Sequence, residues 1–544
     1  MGGDWGRGRI AFLFFLFVSA FLLVIVRLAY LQLYRNDFFA ARAKEQYESR
    51  VEVLPERGVI HDRNGEPLAM NILKPSAFVV PNILDPDGRT FEFLEEKYPE
   101  VFSRLEKNPK SKFTWLERKI SAEKKAELSA MKLPGLYFVD ETARLYPFSG
   151  SSFAMGFSGV DNNGLSGVEL ACESLLQGVP SVFVIDRDAR SNGLYFSSNI
   201  EKRGCPGTSV TLTLDKGLSC VVADELEKTV KNLGAESGST LILEPNSGDV
   251  LAMVTCPEFD PNRMREKPPK STKSQVVHDS FEFGSVIKMF TALAALEEGV
   301  VDPETVIDCG GASAVVNKTR IENWRPLGVL PFRDVIRRSS NVGVAKTALK
   351  LGNKLYDHFD KLGFGKKTGL NFPGERTGFL NASKKWSRSS PLVMSYGYEL
   401  SSTLLQLGKA TCIIANGGHS VEPRLMLDDW VYENRGERLY SEKAVAQTKE
   451  ILEGIGKRYP IDGFKVFGKT GTARCLRNKR YSKNDHVFSF SGAIEQGEYS
   501  RVVVTFIKEA KKVEHWMTAA QIAGPLFQRI AQRMVLLDKM RGVI

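Results

Sequence analysis

The chain has 544 residues, 43% apolar and 25% charged, with a net charge of +10. That is an ordinary globular mixture, long enough for two or three domains, and it excludes a disordered or core-poor protein. The basic residues are spread along the chain without a nucleic-acid-binding signature, which argues for a solvated basic surface facing an anionic envelope and against a nucleic-acid partner. Seven cysteines, Cys172, Cys205, Cys220, Cys256, Cys309, Cys412 and Cys475, are far apart, odd in number and without a CxxC pair, so neither a disulfide framework nor a zinc site is expected. Six scattered histidines show no paired ligand spacing, and no metal or other cofactor is expected. His486 and His515 read as ordinary surface or core residues.

In chain order, the first element is the run IAFLFFLFVSAFLLVIV, Ile10 to Val26, in which Ser19 is the only polar residue. It is long enough to span a bilayer. A cleaved signal peptide would have a shorter apolar core and an A-x-A-like site, and none directly follows the run. Arg7 and Arg9 precede the run, while Arg27, Arg35, Arg42 and Lys44 follow it, so charge alone leaves the orientation open. Residues 34 to about 205 mix short strand-like runs (SRVEVLP, SAFVVP) with charged helical stretches (FLEEKYPEVFSRLEK), and contain no nucleophile setting. RGCPGT, ending at Thr208, carries the turn signals of a boundary. Beyond it, STLILEPNSGDVLAMVT reads as a hairpin, and HVFSFSGAI and SRVVVTFI as two more strands, with a terminal helix in AAQIAGPLFQRIAQRMVLL. These strands bracket a helical middle, about 285 to 410. The expected fold class is α+β, an antiparallel sheet with helices packed against it.

The chemistry centres on FEFGSVIKMFTALAALEEG, residues 281 to 299. Ser285 and Lys288 are three apart and share a helix face. The apolar run that follows buries the helix, and burial disfavours the ammonium, leaving a neutral amine able to take the serine's proton. Backbone N–H groups at the start of the helix suit a developing oxyanion. S-x-x-K also occurs at Ser121/Lys124 and Ser129/Lys132, in a segment that reads as a solvated helix, so order and context must decide. After Ser285 come RRSSNVG, with Ser339 and Asn341, and VFGKTGTA, with Lys469, Thr470 and Gly471. Ser197/Asn199, Ser482/Asn484 and the loop triplet Lys367 to Gly369 repeat parts of these patterns; only Lys469 follows a strand-like run, where a cation on a sheet edge can bind a carboxylate.

This set of motifs resembles the class B penicillin-binding proteins, the peptidoglycan D,D-transpeptidases. The likeness extends over nearly the whole chain. ERGVIHDRNGEPLA carries Arg57, Gly58, Asp62 and Arg63 of a pedestal signature, RLYPFSGSSFAMGFSGVDNNGLSGVE ends in Gly164, Gly167 and Glu169, and PEFDPN precedes the serine as the family implies. The resemblance implies a penicillin-binding transpeptidase fold in residues 206–544, an elongated α/β pedestal in 34–205, an anchor and juxtamembrane stretch in 10–33 and a cytoplasmic tail in 1–9, with the catalytic domain outside the cytoplasm. It further implies that Ser285 attacks the penultimate D-Ala carbonyl of a stem peptide and Lys288 takes its proton. Ser339 would relay a proton to the leaving D-Ala, and Asn341 would hold the substrate amide and Lys288. Lys469, Thr470 and Thr472 would bind the terminal carboxylate, and the N–H groups of Ser285 and Thr472 would form the oxyanion hole. Expected ligands and partners are stem peptides ending in D-Ala-D-Ala, β-lactams, a multi-pass membrane glycan polymerase and division proteins. Two departures stand out: Phe283 replaces the usual proline before Gly-Ser, and the common T-P-x-Q appears as Thr403-Leu-Leu-Gln406.

Rival readings are a serine β-lactamase, a bifunctional class A enzyme and a β-lactam sensor. The anchored pedestal argues against the first, the lack of a glycosyltransferase-like acidic motif against the second, and the intact serine, lysine and asparagine set against the third. Glu375, 34 residues after Asn341, stands where class A β-lactamases carry a water-activating glutamate. Its spacing to Leu380-Asn381 is wrong for that task, so a structural role is expected. Between septal and lateral-wall enzymes, MSYGYELSSTLLQL resembles the division type.

Overall fold

The structure, a computed structural model, describes residues 4–81, 84, 88–108, 114–187, 194–264, 266–427, 436–477, 480–514 and 517–544. His515 lies outside them. The chain divides into two compact units, residues 1–56 with 178–207, and residues 57–177 with 208–544. Within the second unit the stretch 57–177 packs with the C-terminal part of the chain.

In the first unit the helix Asp4–Ala29 runs into a π-helical turn, Tyr30–Tyr34. Arg7–Tyr34 is long and apolar enough to cross a membrane. The helix Asn36–Tyr47 follows, and the strands Glu48–Val53, Ser181–Arg187 and Leu194–Lys202 form an antiparallel sheet with Ser181–Arg187 in the middle.

In the second unit, the strand Pro67–Val79 pairs with Leu136–Leu145 and with Thr114–Glu117. Leu94, Val101 and Leu105 come from one face of each of two short helices and close a small core with Ala77, Val79, Leu116 and Leu128. Here the decoy Ser121 is a helix N-cap accepting from the Lys124 N–H, and Ser129 and Lys132 are exposed. The pedestal signature forms a buried ionic knot. Glu169, with no exposed surface, accepts from Arg57 Nε at 2.7 Å, Arg144 Nε at 2.7 Å and the Tyr146 hydroxyl at 3.2 Å. Arg57 also donates to the Glu169 carbonyl at 2.8 Å and pairs with Glu173 at 2.6 Å. A side chain at Gly164 would put its Cβ 2.2 Å from the Glu169 carbonyl oxygen, and one at Gly58 would lie 2.1 Å from that of Thr208, so both glycines serve close backbone approach. Asp62 is fully buried and accepts from the N–H groups of Asn64, Glu66 and Lys216, while Arg63 reaches Asp249 at 3.7 Å. Through these bonds the 57–66 segment is fastened to the catalytic fold.

That fold is built on five antiparallel strands, β1 Ser237–Leu243, β2 Val250–Cys256, β3 Lys465–Arg477, β4 Arg480–Gln496 and β5 Tyr499–Lys508, in the order β2-β1-β5-β4-β3. The central strands are apolar on both faces, and their side chains alternate between two cores. Leu241, Leu243, Val502 and Val504 face one core, Ile242 and Val503 the other. Each such burial contributes on the order of 2 kcal/mol. The second core is covered by helices α1 Lys216–Leu233 and α6 Ala523–Met540; the first holds α2 Lys288–Glu297, α3 Asn341–Leu351, α4 Leu404–Ala415 and α5 Glu442–Gly456. Thr403 and Gln406 form a capping box for α4, and Gln406 also donates to the Lys366 and Thr377 carbonyls, so the departure from T-P-x-Q keeps both end residues in use.

The middle is not helical throughout, as the periodicity suggests. Val306–Asp308 pairs with Val329–Pro331, Ser313–Val316 with Thr319–Glu322, and Phe379–Leu380 with Leu400–Ser401. The second pair turns on Asn317 and Lys318, both at positive φ, as a two-residue hairpin turn requires. Strands of two to four residues are too short to display a period against the long helices around them.

The ionic knot generates a stability prediction. Glu169→Ala leaves the Arg57 and Arg144 guanidinium groups buried without their shared partner and should cost about 3–5 kcal/mol. Chemical denaturation of the purified protein measures it; a loss below about 1 kcal/mol would show that the pair is not held by this carboxylate.

Candidate active site

The serine sits in a 3-10 turn, Gly284–Val286, that leads directly into α2. Space at this turn is set by glycines. Gly284 has φ +54°, and a Cβ on Gly471 of the edge strand β3 would stand 2.3 Å from the Phe283 carbonyl oxygen. The strand bearing the K-T-G triplet therefore lies against the turn bearing Ser285 at a distance no side chain allows. Phe283, in place of the usual proline, is buried and packs edge-on against Phe281 and Phe506. It anchors the turn through the core instead of through a fixed φ.

Ser285 is half-buried, whereas Lys288, the first residue of α2, has no exposed surface. Its Nζ donates to the Ser339 carbonyl at 2.7 Å and to Asn341 Oδ1 at 2.6 Å, and lies 3.1 Å from Ser339 Oγ. These contacts hold the amine to the second motif. Burial, and secondarily the nearby Lys469, pushes the Lys288 amine well below its usual pKa.

Ser339 has φ +58°, in the left-handed region that a serine seldom enters. This backbone turns its carbonyl and hydroxyl toward the same amine. The next residue, Ser340, caps α3 by accepting from the Gly343 N–H, and Asn341 opens that helix, donating from Nδ2 to the Glu322 carbonyl at 2.8 Å. Lys469, 2% exposed, approaches Ser339 Oγ from the other side at 3.2 Å and donates to the Thr470 carbonyl at 3.0 Å. Burial, then the charge of Arg458, lowers its pKa to about 7. One hydroxyl thus stands between two buried amines.

Thr470 and Thr472, half-buried, alternate with the buried Lys469 and Gly471 along β3. Thr472 Oγ1 accepts from the Ala519 N–H at 3.0 Å, which leaves its proton to donate elsewhere. Among the remaining decoys, Thr368 and Ser482 have structural partners. Thr368 gives both its N–H and its hydroxyl to Glu375 Oε1, at 2.8 and 2.6 Å, so Glu375 closes its own loop. Ser482 accepts from the Asp485 N–H. Ser197 and Asn199 lie on the strand Leu194–Lys202, and their side chains lie outside the described residues. His486 sits half-buried on β4 beside Phe488.

Other residues of this region were not singled out by sequence reasoning. Glu282, three residues before the serine, accepts from Tyr481 Oη at 3.2 Å and the Glu399 N–H at 2.9 Å, and burial raises its pKa. It ties the β3–β4 hairpin to the 396–402 loop. Asn323 and Trp324 bond to the neighbourhood of Ser339. The signal for Glu282 was its place beside the serine motif; Asn323 and Trp324 sit well before Ser339 in the chain and carried none.

Residues 238–532 match the family described as the penicillin binding protein transpeptidase domain, and residues 52–156 match the penicillin-binding protein dimerisation domain. The chain is 30% identical to the probable peptidoglycan D,D-transpeptidase PenA of Neisseria gonorrhoeae, over 96% of this chain and 92% of that protein. It is 28% identical to the peptidoglycan D,D-transpeptidase FtsI of Escherichia coli K12, over 97% and 92%. Among solved structures, penicillin binding protein 3 of Mycobacterium tuberculosis, complexed with aztreonam, has the same fold with a TM-score of 0.67 at 23% identity, covering 90% of this chain and 97% of that one. With a buried Ser-Lys turn, the Ser-x-Asn and Lys-Thr-Gly motifs converging on it, and this match over most of its length, the chain belongs to the class B penicillin-binding proteins, the serine-type peptidoglycan D,D-transpeptidases.

Proposed function

We propose that Ser285 is the nucleophile, Lys288 its general base, Ser339 the proton relay and Asn341 the holder of the Lys288 amine and the substrate amide. The observation that carries this reading is the environment of Lys288. A neutral amine has two protons and one lone pair, and the carbonyl of Ser339 and Oδ1 of Asn341, at 2.7 and 2.6 Å, are acceptors that claim both protons. The lone pair, turned toward the Ser339 hydroxyl at 3.1 Å in the resting enzyme, is left to take the proton of Ser285 as Oγ attacks the carbonyl of the penultimate D-Ala. The N–H groups of Ser285 and Thr472 hold the oxyanion, an effect worth about 3–4 kcal/mol per donor. Collapse of the tetrahedral intermediate expels D-Ala, whose nitrogen receives a proton through Ser339. Lys469, with the hydroxyls of Thr470 and Thr472 and the backbone at Gly471, binds the terminal carboxylate. An amine from a second stem peptide then attacks the acyl-enzyme and forms the cross-link. β-Lactams enter by the same acylation, and with Glu375 committed to Thr368 the penicilloyl-enzyme is long-lived.

For the chain as a whole, we propose a single-pass anchor over 10–33 with the N-terminus in the cytoplasm, residues 34–205 as the pedestal and 206–544 as the catalytic domain outside the membrane, where the wall lies. The resemblance of residues 394–407 to the division type and the similarity to FtsI support a septal role, with a multi-pass glycan polymerase and division proteins as partners.

Ser285→Ala should abolish covalent labelling by fluorescent penicillin, and Lys288→Arg should do so too, because a guanidinium does not give up its proton. Ser121→Ala and Ser129→Ala should label as the parent does. Full labelling of either the Ser285 or the Lys288 variant would refute the assignment.

The two amines also set a pH profile. As pH falls, Lys288 is protonated and acylation slows; as pH rises, Lys469 loses the charge that binds the carboxylate. The second-order acylation rate should therefore be bell-shaped, its alkaline limb lying at about 7 in the free enzyme. Lys469→Arg stays charged and should lack that limb. Stopped-flow acylation across pH decides, and an unchanged alkaline limb in the variant would assign it to another group.

Depletion in the native host should produce filaments or chains with blocked septa. Rounded or bulging cells with normal septa would assign the enzyme to the lateral wall.

A further inference from the structure

Ser339 holds its hydroxyl between two amines only because its backbone is left-handed, a conformation that needs support from its surroundings. The support comes from three consecutive residues at the end of the hairpin strand Thr319–Glu322. The Glu322 carbonyl accepts from Asn341 Nδ2 at 2.8 Å. Asn323, 8% exposed, uses every hydrogen-bonding atom of its side chain. Its Oδ1 accepts from Ser340 Oγ at 3.1 Å and the Val342 N–H at 3.3 Å, and its Nδ2 donates to the carbonyls of Cys309 at 2.9 Å and Gly311 at 3.2 Å. Trp324, whose ring is largely exposed, donates from Nε1 to the Arg338 carbonyl at 3.0 Å, the peptide unit that enters Ser339.

These bonds bracket Ser339. Trp324 fixes the peptide before it. Asn323 fixes the hydroxyl of Ser340 after it, and through Ser340 the cap of α3, since that hydroxyl also accepts from the Gly343 N–H at 3.0 Å. Glu322 fixes Asn341. The geometry points to Asn323 and Trp324 as positioning residues for the transpeptidase reaction: they buttress the left-handed turn that places Ser339 Oγ between Lys288 and Lys469. Neither touches the reacting atoms; both act through Ser339, and the inference rests on the reading of Ser339 as proton relay.

The test is a mutant cycle on the full-length chain in detergent, with penicillin as probe, separating its dissociation constant from the acylation rate constant. Asn323→Ala should lower the acylation rate constant by about tenfold to a hundredfold, the scale of a misplaced catalytic group, with the dissociation constant unchanged. Trp324→Phe keeps an exposed ring and removes one donor, so it should lower the rate constant by about threefold to tenfold. Either change, added to Ser339→Ala, should produce no further loss, because the relay they position is gone. Rate constants at the parent value in both single variants, or losses that multiply with that of Ser339→Ala, would overturn the inference. Should Asn323→Ala not fold, the Trp324 cycle decides by itself. An unimpaired Ser339→Ala would remove the relay reading and this inference together, an outcome distinct from failure of the buttress alone.

Discussion

A lysine with no surface of its own in contact with water is the constraint on which the catalytic domain turns. Leaving Lys288 charged in that place would require compensation for several kcal/mol of lost hydration. The fold instead surrounds the amine with the Ser339 carbonyl, Ser339 Oγ and Asn341 Oδ1 and brings a second amine, Lys469, to the far side of the same hydroxyl. Burial and the like charge act in the same direction, toward the neutral form. The buried position thus favours the uncharged amine, the form that the proposed base requires.

The amine's environment depends in turn on close backbone packing. β3 must approach the serine turn closely enough for Lys469 to share Ser339 with Lys288, and Gly471 and Gly284 permit that approach. The sheet supplies the rigidity: β3 is paired residue by residue with β4, Lys469 opposite Ser491 and Thr472 opposite Phe488, and β4 with β5 at the apolar centre. On its outer edge the strand is free to carry binding groups. A peptide with an extended backbone and a terminal carboxylate is suited to such an edge.

The 57–177 segment follows a different logic. Its described residues include none of the residues proposed to react, yet it buries an ionic knot around Glu169 and fastens Asp62 to the start of α1. Charges fully withdrawn from water in this way confer directional specificity more than net stability. The knot joins parts of the segment to one another, while Asp62, accepting from the Lys216 N–H, and Arg63, reaching Asp249, tie the segment to the catalytic fold.

The residues proposed to react stood out in the chain alone because that chemistry requires particular residue types in a fixed order. A serine and a lysine one helical turn apart before an apolar run, then Ser-x-Asn, then Lys-Thr-Gly after a strand, separated Ser285 and Lys469 from the decoys at Ser121, Ser129 and Lys367. Apolar runs likewise announced the membrane-length helix, the central strands and the terminal helix, since burial on both faces leaves a continuous hydrophobic signature. What the chain did not disclose was which atoms meet. Lys288 meets Ser339 and Asn341 of the second motif, Thr472 engages the Ala519 N–H, and Asn323 and Trp324 bond to the residues flanking Ser339, which lies 16 and 15 residues further on. The short strands between 306 and 331, and the return of residues 178–207 to the first unit, were equally silent. Periodicity and residue type report on local preference and on burial averaged along an element. Which donor meets which acceptor is settled only when segments distant in sequence are brought within hydrogen-bonding range, where about an ångström decides the partner.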